Sequence, residues 1–248
     1  MRASTALFAL AAVIAIGCGG GNAATDPGSG GGGATCTESF RTPNYVTATD
    51  PGTSQLNQTL TWSSFPVPVY KAPHHVFTFG LNTYDTDNIA QTALDRWVAA
   101  VTPGLSYQFV GSDPAAGISI TYNHLPGEPT AGDALGVTTL FYNASTGVMH
   151  KADTVINYWD TMTEAEVRFG LLFTTTHEFG HALFINGHSP AAADVMYYAA
   201  STVETRSTTV RDANTLATAY CGTFPTSALT LGRDVGPYTK VVIRCLRK

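Results

Sequence analysis

At 248 residues and a net charge of -5, the chain has room for one full domain with a sizeable core and carries no basic block that would grip nucleic acid. Charged residues make up only 12% against 44% hydrophobic, and Thr, Ser, Asn and Gly supply much of the polarity, a composition that fits an exported protein better than a cytosolic one.

Arg2 precedes an apolar run, Ala6 to Ile16, which has the length of a signal-peptide core and is too short to span a bilayer. Residues 1–17 are therefore expected to be a signal peptide. Ala15-Ile16-Gly17-Cys18 resembles the lipobox of bacterial lipoproteins, where cleavage precedes the cysteine and its thiol carries diacylglycerol, although Ala15 stands where leucine is usual. Two outcomes stay open: a membrane tether through lipidated Cys18, or plain secretion after cleavage near Ala23-Ala24. Gly19 to Thr35 is too rich in Gly, Ser and Ala to bury apolar surface, so 18–61 is expected to be a tether and N-terminal segment. Without Cys18, three cysteines remain, Cys36, Cys221 and Cys245, which allow at most one disulfide. Closeness in sequence favours Cys221 with Cys245, though spacing does not establish proximity in space.

Phe65-Pro66-Val67-Pro68-Val69, within Trp62 to Tyr70, alternates apolar residues with prolines and predicts an outer strand. Thr86 is expected to cap a helix in which Ile89, Ala90, Ala93, Leu94, Trp97, Val98 and Val101 recur at helical spacing before Pro103-Gly104. Strands are predicted over Leu105 to Val110, Ile118 to Tyr122, Val137 to Tyr142 and Thr154 to Tyr158. Thr163 and Glu166 form a capping box for a helix reaching about Phe184, and a last helix runs from about Thr209 to Tyr220. This order predicts an α+β fold, a mixed sheet with packed helices.

The chemistry concentrates in His177-Glu178-Phe179-Gly180-His181. Positions i and i+4 share a helix face about 6 Å apart, so two imidazoles can converge on one ion. Glu178 then lies close by, directed to hold water rather than metal. A catalytic zinc normally takes a third protein ligand and keeps one open position. Asn186-Gly187 tolerates positive φ, which lets the helix end and the chain return with His188 as that ligand; Asp194 is the rival oxygen donor. The other histidines, His74, His75, His124 and His150, read as solvated surface groups rather than a second zinc site.

The stretch His177 to Tyr197 resembles the metzincin zinc peptidases, most closely their matrixin branch, whose pattern is His-Glu-x-x-His-x-x-Gly-x-x-His followed by a methionine turn. His188-Ser189 and Asp194-Val195-Met196-Tyr197 are similar to the family's His-Ser and Met-turn. Two departures stand out: the third histidine comes one residue late, and Phe184 occupies the place of the family glycine, so Asn186 or Gly187 is expected to take that glycine's backbone role. The resemblance implies a metzincin-like domain over 62–188 and a C-terminal subdomain over 189–248. It further implies Zn2+ as cofactor, Met196 as a floor beneath it and Asp212 as a brace for the turn. Tyr198 reads as packing rather than as a ligand.

By the same resemblance, Val137 to Tyr142 offers an exposed strand edge that pairs with extended peptide substrates, and Ser189 to Ala200 lines a specificity pocket. The implied protein is a monomeric, exported zinc endopeptidase with protein or peptide substrates and Glu178 as general base. A thiolate plug from Cys36 is disfavoured by its flanking residues. The rival from another class is a surface-tethered, catalytically weak module that only holds peptides.

Overall fold

The computed structural model describes residue 45 and residues 59–72, 75–101, 104–220 and 237–247. The expected signal peptide, most of the tether, Cys18, Cys36, Cys221 and His74 lie outside the described residues.

The first strand, β1 (Val67–Lys71), is followed by a hairpin of β2 (Val76–Phe79) and β3 (Asn82–Asp85), turned at Gly80 with φ 60. Then come helix α1 (Thr86–Ala100) and strands β4 (Tyr107–Val110), β5 (Gly117–Leu125), β6 (Ala134–Asn143) and β7 (Met149–Trp159). A π-helical stretch, Glu166–Leu171, leads into α2 (Leu172–Ala182), and β8 (Ala199–Ala200), α3 (Val210–Ala219) and β9 (Tyr238–Arg247) complete the order. The α+β class holds. Among the described residues, no helix is long and apolar enough to cross a membrane.

Seven strands form one mixed sheet in the order β4-β1-β5-β7-β6-β9-β8. β4, β1, β5 and β7 are parallel, β6 is antiparallel to both β7 and β9, and β8 is parallel to β9. α1 and α2 lie together, and the ring of Trp97 is fully buried with its Nε1–H donating to Thr176 O at 2.7 Å. Burial of an aromatic of this size contributes on the order of 2–3 kcal/mol, which fixes α2 against α1.

Three expectations need correction. β1 is not an outer strand, because β4 and β5 flank it. Its proline is tolerated because Val67 N already donates towards β4, to Ser106 O at 3.1 Å, while pairing with β5 begins only at Val69, so the missing Pro68 amide falls before that ladder. The cap of α1 is Asp85, whose carboxylate accepts from Asp87 N at 2.7 Å; the Thr86 hydroxyl instead accepts from His75 N at 2.9 Å. The third correction bears on function: the edge of β6 is not open, since β9 pairs along it from Tyr238 opposite Asn143 to Leu246 opposite Ala134.

Candidate metal centre

The capping box expected at Thr163 forms, with Glu166 N donating to Thr163 Oγ1 at 3.3 Å and Thr163 N donating to Glu166 Oε2 at 2.7 Å. The helix that follows carries His177 and His181 on one face, their Nε2 atoms 3.2 Å apart. Each ring is aimed by its other nitrogen: His177 Nδ1 donates to Val195 O at 2.7 Å and His181 Nδ1 to Ile185 O at 2.6 Å. A carbonyl can only accept, so both protons sit on Nδ1 and both Nε2 lone pairs point at the same spot.

How the chain returns to that spot corrects the sequence reading. Phe184 N donates to His181 O at 3.0 Å and Ile185 N to Gly180 O at 2.9 Å, the paired bonds of a Schellman helix end. The residue in the positive-φ position is Phe184 itself, at φ 99, and neither Asn186 nor Gly187 takes that role. A backbone conformation that suits glycine costs of order 1–3 kcal/mol in another residue and persists only where packing demands it. Here the buried Phe184 ring packs between Trp62 and Tyr220, with centroids 5.4 and 5.9 Å away. The same two residues serve the helix end, since Trp62 Nε1 donates to Ala182 O at 3.1 Å and the Tyr220 hydroxyl to Leu183 O at 3.4 Å.

The turn brings the His188 ring to 5.2 Å from that of His177 and 4.9 Å from that of His181, and one nitrogen of each of the three rings falls within a single group 4.8 Å across. Asp194 is no rival: its carboxylate accepts from Ser189 Oγ at 2.5 Å, Thr209 Oγ1 at 2.9 Å and Arg211 Nε at 2.9 Å. Burial, and then the neighbouring imidazoles, hold all three histidines below the usual range, His177 at about 3, so the trio is neutral. Two nitrogens bound at about 2.0–2.1 Å to a tetrahedral ion sit about 3.3 Å apart, which the observed spacing meets. Neutral, convergent, buried nitrogens therefore fit a zinc ion.

Glu178 is also buried. Its Oε2 accepts from Thr138 Oγ1 at 2.6 Å, while Oε1 has no hydrogen-bond partner. Burial pushes the carboxyl up to about 8, against the Thr138 hydroxyl and the Cys245 amide, which favour the anion. The strand residue facing it is Gly136, where a Cβ would stand 2.5 Å from Glu178 Cγ and 2.6 Å from Oε1. On β9, Cys245 is a buried free thiol, and its Sγ joins His177 and Glu178 in a second potential ligand group. Cys221, its expected partner, lies outside the described residues. Among the described residues no third such group occurs; His75 and His124 are exposed, as expected, and lie 4.9 and 5.1 Å from Tyr158, while His150 is half-buried and stacks on Tyr238 at 4.0 Å.

Below the histidines, Met196 is fully buried against Gly180 and Trp97. Asp212 accepts from Val195 N at 3.1 Å and Met196 N at 3.3 Å, as well as from Thr209 N at 2.8 Å and from the Tyr45 hydroxyl in a short bond. Arg206 ties the same loop from outside, donating to the carbonyls of Ala192, Asp194 and Ala199 at 3.2, 3.2 and 2.7 Å and lying 4.8 Å from the centre of the Phe173 ring.

A protein-family model described as Matrixin matches residues 70–221, more than half of the chain. The chain belongs to the matrixin family. No curated protein matches it. Matrixins are zinc-dependent metalloproteases acting on peptides, and this matrixin places its three histidines where a metal can be held.

The histidines, the glutamate, the methionine and the aspartate were all legible in the sequence. Tyr45, Thr138, Gly136, Arg206 and Cys245 were not, because Tyr45 and Thr138 act through partners 167 and 40 residues away, Gly136 and Cys245 meet across a strand pair, and Arg206 reaches loop carbonyls 7 to 14 residues away, none of which a local spacing reveals. Only β9 had a usable signal: Tyr238 to Arg247 contains the β-branched run Val241-Val242-Ile243.

Proposed function

We propose that the protein is an exported, monomeric endopeptidase that hydrolyses peptide bonds, with zinc on His177, His181 and His188 and Glu178 as general base. The observation that carries this is the meeting of three neutral, buried imidazoles beside a carboxylate with one unpartnered oxygen. A zinc ion held there supplies Lewis acidity, polarising the scissile carbonyl and making water nucleophilic near neutral pH.

Glu178 handles the protons. Thr138 fixes Oε2, which leaves Oε1 to take a proton from the attacking water and hand it to the leaving amine. A carboxyl raised towards neutrality by burial suits both halves of that task. Met196 gives the site an apolar floor and takes no chemical step. Asp212 positions that floor by holding two successive amides of its turn.

Export draws support from Arg2, the Ala6 to Ile16 run and Cys18, and the low charge content agrees with it. The destination proposed is the cell envelope through lipidated Cys18, with free secretion as the outcome if no acyl mass is found on the mature N-terminus.

The test is zinc content together with cleavage of a quenched peptide library, for the full chain and for Glu178→Ala. The variant should bind as much zinc as the parent and cleave nothing. Turnover unchanged in Glu178→Ala, or purified protein without zinc, overturns the mechanism. The rival, a peptide-holding module, gains from one observation: all four side chains at the centre are buried. Zinc with no cleavage of any peptide, in a chain whose cleft has been opened, would decide for it.

A further inference from the structure

Behind the hydroxyl that meets Glu178 stands a second one. Thr138 of β6 lies directly opposite Thr154 of β7, their oxygens 3.3 Å apart, in a part of the sheet closed to water where the two residues are 0% and 1% exposed. Opposed residues of an antiparallel pair project to the same face, and threonine pairs often bond in this way. On the other flank Thr138 faces the buried Ile243 of β9, so of the two residues opposite it only Thr154 brings a hydroxyl.

A threonine hydroxyl has one proton to give. Three oxygens surround that of Thr138: Glu178 Oε2 at 2.6 Å, Glu178 O at 3.2 Å and Thr154 Oγ1 at 3.3 Å. The carboxylate oxygen is the nearest and carries charge, and a bond to an ionised acceptor is roughly twice as strong as a neutral one, so Oε2 takes the proton. Thr138 then offers Thr154 only a lone pair, and Thr154 has to be the donor between them. The hydroxyls run one way, from Thr154 to Thr138 to Glu178, and each bond polarises the next. This order survives protonation of Glu178 on Oε1, because Oε2 is then a carbonyl oxygen and still accepts. Protonation on Oε2 would oppose it.

We propose that Thr154 is a positioning residue for the general base: acting through Thr138, it fixes which oxygen of Glu178 is held and leaves Oε1 alone to take and return the proton. This rests on the general-base reading above. Both side chains are β-branched and therefore stiff at χ1, and strand pairing fixes the backbones that carry them, so the hydroxyls have little freedom to swing away. Gly136, on the same strand as Thr138, completes the arrangement by leaving the space that Oε1 occupies, where a Cβ would stand 2.6 Å from it.

The test is a cycle of Thr138→Val, Thr154→Val and the double variant, since valine keeps the branched shape and removes only the hydroxyl. Zinc content and KM on a quenched peptide should match the parent's throughout. Thr138→Val should lower kcat by about ten- to a hundredfold, as a base moved off its aim does. Thr154→Val should lower it by about three- to tenfold, in the range of couplings within one hydrogen-bond network, and Thr154→Ser should restore it. The double variant should be no slower than Thr138→Val, because Thr154 acts through that hydroxyl. Thr154→Ala serves in place of the valine variant if that one does not fold. Parent-like kcat without the Thr154 hydroxyl, losses that multiply in the double variant, or no recovery with serine overturns the proposal. Neutron diffraction from metal-free crystals of the parent reads the same order without turnover: deuterium on Thr138 should point at Oε2 and deuterium on Thr154 at Thr138 Oγ1, and the reverse direction overturns the proposal. A parent that cleaves no peptide sinks the endopeptidase reading, and the neutron map then decides the order of the hydroxyls by itself.

Discussion

Gly136 and Glu178 are in such close contact that a methyl group on the glycine would stand 2.5 Å from the glutamate Cγ. Real Cβ atoms do not approach so near. Gly136 is fixed by pairing on both sides, with Ile156 and with Cys245, so the carboxylate has to yield rather than the strand. Gly136→Ala is expected to move Glu178 off its aim and cut kcat on a peptide substrate by about a hundredfold with zinc content unchanged, since an ångström of misplacement costs about that much. Parent-like kcat in the folded variant would refute the contact's importance.

Phe184 sets two terms against each other. Replacing it with glycine relieves a backbone cost of about 1–3 kcal/mol and removes a buried ring worth about 3–5 kcal/mol. The ring wins on these magnitudes. Phe184→Gly should destabilise the protein by about 1–3 kcal/mol in urea titration, and a gain in stability would show that strain dominates there.

Asp212 accepts from five donors on Tyr45, Val195, Met196 and Thr209. Its truncation leaves several of them buried without a partner, each costing about 1–3 kcal/mol. Asp212→Ala should lower stability by at least about 3 kcal/mol, with Asp212→Asn milder because it keeps an acceptor oxygen. Equal loss in both variants, measured by denaturant unfolding, would point away from hydrogen bonding.

His188→Ala should weaken zinc binding by at least about a hundredfold, because a three-donor site falls to two. Asp194→Ala should leave zinc affinity close to the parent's, since Asp194 is spent on Ser189, Thr209 and Arg211. Competition with a chromophoric chelator measures both, and the reverse ranking would move the third ligand to Asp194.

Metal-free protein should lose stability as pH falls below about 6.5. Burial holds the three imidazoles neutral in the folded chain, His177 down to about 3, while the unfolded chain protonates them near 6.5. Protonation then favours unfolding from about 6.5 downward. Glu178 has the opposite sign: raised to about 8, it binds a proton in the folded state that the unfolded state lacks down to about 4.5, and so stabilises as pH drops through that range. Three groups outweigh one, and each unmatched proton is worth up to about 1.4 kcal/mol per pH unit. The melting temperature in chelator should fall by roughly 5 °C or more between pH 7.5 and 5.5. A flat profile would mean that the rings are hydrated and charged.

Local chemistry was readable wherever its period is short. The helix spacing of His177 and His181, the capping box at Thr163 and the apolar stripe of α1 each depend on neighbours within four residues. What escaped depends on distant pairing. Two prolines suggested an edge for β1, but only the order of the sheet shows that the missing amide falls before a ladder begins. Glycine preference pointed to Asn186-Gly187 as the reversal, whereas the aromatic walls of Trp62 and Tyr220 force it onto Phe184. The covered edge of β6 was invisible for the same reason, since its partner enters nearly a hundred residues later.

The bond from the Tyr45 hydroxyl to Asp212 links the stretch before the matched region to the carboxylate that steadies Met196. The proposed maturation is therefore bounded by chemistry as well as by a cleavage motif. A cut ahead of position 45 spares the foundation of the histidine cluster, and a cut behind it strips away one of the hands that hold that foundation still.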